Sequence, residues 1–316
     1  MKANNILKRI ITGAVLFSSI FFTVSCDGSG GNNSKYDEAY FLENLTFTLN
    51  EEGNSYEVNG GGKVQDCEHI IIPAEYESLP VIGVSGFAHL QKLKTIDIPD
   101  SVLYFSSLTF ASCSSLKEFT IPSSVSEIPS GLFKNCTSLE KVTIKNGVES
   151  IFDDAFLGCS SLKIVDIPES VTYMTGSIFQ GCSSLETVVI PSKIYNLDEY
   201  IFEGCSSLKS VTFNSSTITI GKYGFCNCTS LEKFAFKGST KTIAAYIFSG
   251  CTSLKEVIIP KTTTKIGYDA FANCTSLENV YFEGSEADWK KINIDTTNGS
   301  NGCLINANIV FDYVRI

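Results

Sequence analysis

The residues most suggestive of chemistry are cysteines. Cys113, Cys136, Cys159, Cys182, Cys205, Cys228, Cys251 and Cys274 follow one another at a constant interval of 23 residues. Thiols ligate metals, form disulfides or act as nucleophiles, and each use has its own spacing. Metal sites draw on cysteines separated by roughly two to four residues, and only Cys226 and Cys228 stand so close here. Two readings of the series remain. A column of buried thiols would use each cysteine as a small hydrophobe. Disulfides between successive units are also allowed, because a strand spacing of about 4.8 Å lies within the Cα range a disulfide spans. They would, however, make equivalent positions unequal. Cys67, Cys226 and Cys303 fall outside the series.

Other chemistry is scarce. His69 and His89 are the only histidines, too few for a histidine-rich metal site. Gly60-Gly61-Gly62 lacks the spacing of a phosphate-binding loop, and the Asp153-Asp154 pair occurs in one unit only. No catalytic residue, metal site or cofactor is expected, and the chain reads as a non-enzyme. With 34 acidic and 24 basic side chains the net charge is −10, which leaves no basic surplus for displacing phosphate counterions from nucleic acid.

The interval extends beyond the cysteines. Phe110, Phe133, Phe156, Phe179, Phe202, Phe225, Phe248 and Phe271 each precede a cysteine by three residues, and a leucine follows each cysteine by three. An upstream copy keeps Phe87 and Leu93 with Leu90 at the cysteine position. A constant period in the twenties denotes a solenoid, in which each unit buries its apolar face only against its neighbours. The stretch Leu162-x-x-Val165-x-Ile167-Pro168 ends in period-2 alternation, the pattern of a short strand with one face inward. A short helical or 3₁₀ segment is expected to deliver the next phenylalanine. Nine regular units and a degenerate one at Ile70-Ile71-Ile72-Pro73 would stack to roughly 45–50 Å at the strand spacing.

These motifs resemble the BspA-like leucine-rich repeats of bacterial surface proteins, the treponemal 23-residue class. The resemblance implies a curved α/β solenoid with a parallel concave sheet, short helical segments on its other side, and a role in adhesion at the cell surface. Proline is replaced at Lys145, Asn214, Lys237 and Glu283, a mild departure.

Several columns on such a solenoid could meet a partner. The outward strand position reads Asp97, Thr120, Thr143, Asp166, Val189, Thr212, Ala235, Ile258 and Tyr281, so it turns apolar in its C-terminal half. Val189, Ala235, Ile258 and Tyr281 are candidate ligand-binding residues, unless neighbouring side chains or the end of the chain cover them. Tyr200, Tyr223 and Tyr246 form a second column, beside Tyr268, which would either hold a ligand or pack along the spine. One position after the repeat leucine the charge alternates from Lys117 through Glu140, Lys163, Glu186, Lys209, Glu232 and Lys255 to Glu278. Opposite charges on neighbouring strands attract, so this row reads as a stacking device.

The ends complete the organisation. Lys2, Lys8 and Arg9 precede a 15-residue apolar stretch from Ile10 to Val24, shorter than the roughly 20 residues of a membrane span. Residues 1–25 therefore read as a secretory signal. Ser25-Cys26 resembles a lipoprotein box with Cys26 as the acylated residue, although Thr23 departs from the usual aliphatic. Ordinary signal cleavage with an incidental Cys26 is the competing reading. Residues 26–35 form a polar tether, 36–66 a hairpin cap, 67–282 the solenoid, and 283–316 a C-terminal cap with a short helix at Trp289 and a last strand over Asn308–Val314. Trp289 is expected as a core plug rather than a ligand platform. The expected protein is a monomer held to a membrane by its N-terminal lipid alone, on the extracytoplasmic side of a bacterium, binding an extracellular protein or glycan. A structural envelope or cargo-capture lipoprotein is the alternative.

Overall fold

The computed structural model describes residues 44–315. The signal stretch, Cys26, the tether and residues 36–43 lie outside the described residues. Each coil opens with a three- or four-residue strand whose alternating pattern turns every second side chain inward. In Lys141–Ile144, Val142 and Ile144 are buried while Lys141 and Thr143 are exposed. Strands of successive coils pair in parallel, one repeat apart, so Val142 faces Phe119 on one side and Val165 on the other. About ten coils stack in this way, and the buried side chains form one continuous core.

The stretch expected as a short helix is different. Each coil carries a second strand of two residues, such as Ser150–Ile151 or Lys265–Ile266, followed by a run of turns. The short helices and 3₁₀ turns assigned over the described residues are Gly61–Val64, Glu286–Trp289, Thr297–Gly299 and Gly302–Ile305, all away from the regular coils. The reason lies in where the amide donors go. Phe133 N–H donates to Ala155 and Phe156 N–H to Ile178, each in the next coil, at 2.9 and 3.0 Å. An amide engaged by the neighbouring coil cannot also close an α-helical turn.

That turn region explains the cysteines. Each phenylalanine carbonyl accepts the N–H of the cysteine three residues on, as Phe133 does from Cys136 at 3.0 Å. It also accepts the thiol of the next coil, with Cys159 Sγ donating to Phe133 O at 3.1 Å. The same thiol bond recurs from Cys113 to Cys274 at 3.0–3.2 Å. All eight are free thiols with buried side chains. Burial pushes Cys113 and Cys274 up to about 12 and holds Cys136, Cys159, Cys182, Cys228 and Cys251 well above the ordinary thiol range. Beside this column run the phenylalanine rings, stacked almost in parallel from Phe133 through Phe202 with centroids 5.6 Å apart.

The ends are built from other elements. Thr46–Leu49 pairs antiparallel with Tyr56–Asn59, and this hairpin joins the solenoid through Leu79–Ser85. At the other end Asn308–Val310 adds to Asn279–Phe282. The strand expected through Val314 stops at Val310, because Asp312 and Tyr313 donate instead to Gly284 and Phe282. A capping box of Ser285 and Asp288 opens the Glu286–Trp289 helix. Trp289 is half-buried, edge-on to Phe282 at 5.2 Å. The turn ladder ends on Asn301, whose buried Oδ1 accepts Phe271 N–H at 3.0 Å where an earlier coil would offer a backbone carbonyl. Its amide donates to Gly267 and Asp295 carbonyls at 2.9 and 2.8 Å.

Phe179→Ala, in the middle of the ring column, is expected to cost about 3–5 kcal/mol through the cavity it leaves; an unchanged urea midpoint would contradict it. The thiols bear on alkaline stability. Folded-state values raised above the unfolded ones leave stability intact below the unfolded thiol range near 9, and remove it as pH climbs toward about 12. Melting temperature is therefore expected to fall steadily above pH ~9. A Cys159→Ala/Cys182→Ala variant should lose less over that interval.

Candidate functional site

The parallel register carries one outward residue per strand to the same height on the sheet. Val189 pairs with Thr212, and Ala235, Ile258, Tyr281 and Val310 pair in succession. Asp97, Thr120, Thr143, Asp166 and Thr212 are exposed, as is Val189 at 47%. Ala235, Ile258 and Tyr281 are half-buried. Part of the cover on Tyr281 is Tyr313, whose ring lies 4.8 Å away at 44°. The structure thus unites three of the four residues expected on this face and extends their strip to Val310. Val189 stands apart from them, beyond Thr212.

Between Thr212 and Ala235 the sheet divides. Strands from Glu118–Ile121 to Ser210–Phe213 form one sheet, and those from Lys233–Ala235 to Asn308–Val310 form another. Glu140, Lys163, Glu186, Lys209, Lys255 and Glu278 each donate an N–H to the carbonyl one coil earlier, at 2.8–3.4 Å. The matching bond from Glu232 to Lys209 is missing. A cleft of about 220 Å³ opens there, lined by Val211, Thr212, Phe234, Ala235, Lys233 and Lys237 among others. Val211 is only half-buried, whereas Val142, Val165, Val188, Val257 and Val280 at the same repeat position are buried.

Aromatic side chains crowd the division. Neighbouring coils carry Val188 with Ile190 and Val257 with Ile259; the divided pair carries Phe213, Phe234 and Phe236. Phe234 meets Phe225 and Phe248 at 4.9 Å, Phe236 at 5.0 Å and Phe213 at 6.0 Å. A single phenylalanine at one of these positions, Phe119 or Phe282, leaves its strands paired; at the division three of them meet. Val211 and Lys233 carry no signal in the repeat, and Lys237 shows in it only as a lost proline.

The charged row is paired rather than continuous. Lys163 bonds Glu140 at 3.8 Å, Lys209 bonds Glu186 at 2.7 Å and Lys255 bonds Glu232 at 3.3 Å. The Lys209 side chain also holds the Glu186 carboxyl below its ordinary value. Each lysine reaches back one coil, and the run of such pairs skips the division. Lys233 is engaged with Glu256 at 3.1 Å.

Tyr200, Tyr223 and Tyr246 do form a column. Their rings stack at 4.8 and 4.6 Å within 8° of parallel, and Tyr268 meets Tyr246 edge-on at 5.6 Å. The flat faces that would receive a ligand are turned on one another. All three have positive φ, near 60°, a region that costs a non-glycine residue roughly 1–2 kcal/mol. Ring stacking of about 0.5–1.5 kcal/mol offsets much of that. The geometry is that of spine packing.

Among the described residues no group of three or more His, Cys, Asp or Glu side chains is arranged to hold a metal ion, and no helix is long and apolar enough to cross a membrane. The profile of the BspA type leucine rich repeat region matches residues 63–186 and 176–294, in six copies. No curated protein matches the chain. Among solved structures, a leucine rich repeat protein of T. pallidum is 25% identical, with a TM-score of 0.56 over 60% of this chain and 88% of that one. A leucine rich cell surface protein of Faecalibacterium prausnitzii is 20% identical over 85% of this chain and 99% of that one, with a TM-score of 0.36. The pneumococcal vaccine antigen PcpA is 16% identical over 86% and 98%, with a TM-score of 0.40.

Proposed function

The chain belongs to the BspA-type leucine-rich repeat family, and from that premise we propose that it is a protein-binding scaffold of a bacterial cell surface, held to the membrane by a lipid on Cys26. The observation that carries the reading is the strip Ala235–Ile258–Tyr281–Val310 beside the divided sheet. An apolar centre with a polar rim is the anatomy of a protein interface. Here Thr212 and the Lys233–Glu256 pair supply rim groups next to the strip. Tyr281 is the anchor: tyrosine is prominent among residues that dominate binding energy, and Tyr313 holds its ring in place before a partner arrives. The adhesive role comes from the family resemblance. The anchor rests on the stretch before Cys26 and the polar tether after it, which would hold the solenoid clear of the bilayer.

The test is binding to an array of extracellular-matrix proteins, comparing two paired variants. Ile258→Asp with Tyr281→Ala is expected to weaken binding about 100-fold, or roughly 2.7 kcal/mol. Asp97→Ala with Asp166→Ala, on the polar half of the same column, should leave it nearly unchanged. The reverse ranking would move the interface off the strip. The anchor has its own readout. Cys26→Ala is expected to shift the protein out of the membrane fraction or leave it unprocessed, and a variant that fractionates and migrates like the parent would remove the lipid from the account.

A further inference from the structure

The second strand row is open at three junctions among the described residues: between Tyr104–Phe105 and Glu127–Ile128, between Tyr173–Met174 and Asn196–Leu197, and between Thr219–Ile220 and Thr242–Ile243. Along this row two backbone bonds join successive coils. The outer one runs from Thr172 to Glu149, Thr219 to Tyr195 and Thr264 to Lys241, and the inner one from Thr175 to Ile151, Gly221 to Leu197 and Gly267 to Ile243, at 2.8–3.2 Å. Between Tyr173–Met174 and Asn196–Leu197 neither bond forms, and the row splits there. The N–H groups of Tyr195 and Asp198 and the carbonyls of Thr172 and Met174, which would have closed that junction, are left to face one another across it.

A cleft of about 280 Å³ occupies the gap, lined by Thr172, Tyr173, Lys193, Tyr195, Asn196 and Asp198 among others. Tyr195 and Tyr173 are the most exposed aromatic side chains among the described residues, at 59% and 53%. Tyr173 rests edge-on against Phe152 at 6.0 Å, while Tyr195 has no ring partner among the described residues. Two exposed rings at one cleft stand unlike the Tyr200–Tyr223–Tyr246 column, whose faces are consumed. Asn196 is held in place, donating to Asp198 at 2.6 Å and accepting from the Thr219 hydroxyl at 2.6 Å. One amide hydrogen and most of the carboxylate's lone pairs are left over.

The lining therefore combines aromatic surface with donors and acceptors in close alternation, and its two charged groups, Lys193 and Asp198, cancel. A pyranose ring matches that set. It has a flat C–H face for an aromatic ring and a rim of hydroxyls that each donate and accept. The volume is just under the roughly 300 Å³ at which small-molecule pockets begin, room for one ring rather than a chain. A guest peptide strand fits less well, since strands two residues long offer too few rungs for pairing. We propose that this cleft binds a single neutral hexopyranose unit of a glycan, independently of the strip on the main sheet.

Saturation-transfer NMR on the intact protein with maltotriose, cellotriose and triacetylchitotriose tests the site. At least one of the three is expected to bind in the millimolar range. Tyr173→Ala and Tyr195→Ala should each weaken that binding about tenfold, and Ile258→Asp on the main sheet should leave it intact. Both tyrosines are exposed, so the melting temperature of each variant should match the parent and exclude misfolding as the cause. Absence of transfer from all three sugars, or transfer that survives the double tyrosine variant, overturns the proposal. So does a loss caused equally by Ile258→Asp.

Discussion

Every coil of this protein depends on sharing backbone bonds with the next along the faces of its perimeter. A single 23-residue unit cannot bury a phenylalanine and a strand face by itself, so the fold exists only as a stack. The tightest point is the phenylalanine carbonyl, which receives an amide from its own coil and a thiol from the following one. The donor there must be small, because it sits beside the ring column, and weakly polar, because it is buried. Cysteine meets both demands. A serine would bring a stronger dipole that is costlier to desolvate, and an alanine would leave a void. A thiolate is excluded, since a charge at that depth has no partner. The series that first suggested metal or disulfide chemistry is a device for stacking.

A regular stack is also featureless. Where all coils pair, the backbone is spent on neighbours and the surface offers only side chains. Departures are what create sites. On the main sheet, Phe213, Phe234 and Phe236 cluster where Glu232 no longer reaches Lys209. On the second row, the junction beside Met174 stays open at both its bonds. In each place the result is a cleft with unpaired peptide groups at its walls, and side chains near it depart from the repeat as well: Lys237 replaces the usual proline near the first, and two unstacked tyrosines flank the second.

What could be read from the sequence was whatever recurs. The 23-residue interval located the phenylalanines, thiols and leucines of the core, and period-2 alternation assigned the outward column in its true register. The alternating charges were legible as a stacking row, though their pairing in twos depends on which way each lysine bends. The two-residue strands carry too short a pattern to register as strands. The expectation of helix failed there because the competing acceptors belong to the next coil and leave no local trace. The divided sheet was invisible for a related reason. The coils on either side of the division keep the 23-residue length, so spacing is silent, and only the coincidence of Phe213, Phe234 and Phe236 marks the place. Tyr281 was found, but the ring of Tyr313 over it was not, because nothing local says where the last residues return.

The two clefts are neighbours in a telling arrangement. The strands Asn196–Leu197 and Thr219–Ile220 pair with each other and with nothing else along the second row. On the main sheet, their coils remain joined to the N-terminal block through Thr187–Ile190 and Ser210–Phe213. These two coils are held to the N-terminal block by the main sheet, and at their C-terminal junction both strand rows are open, between the cleft at Tyr195 and the cleft at Val211. The turn ladder still ties them on both sides, with Phe179 donating to Ile201 and Phe225 to Ile247 at 3.1 and 2.8 Å. Backbone groups able to contact a ligand can exist only where such bonds are withheld, and the stack tolerates withholding them only where another face stays closed. Both clefts lie beside this pair, where the turn ladder alone closes the C-terminal junction.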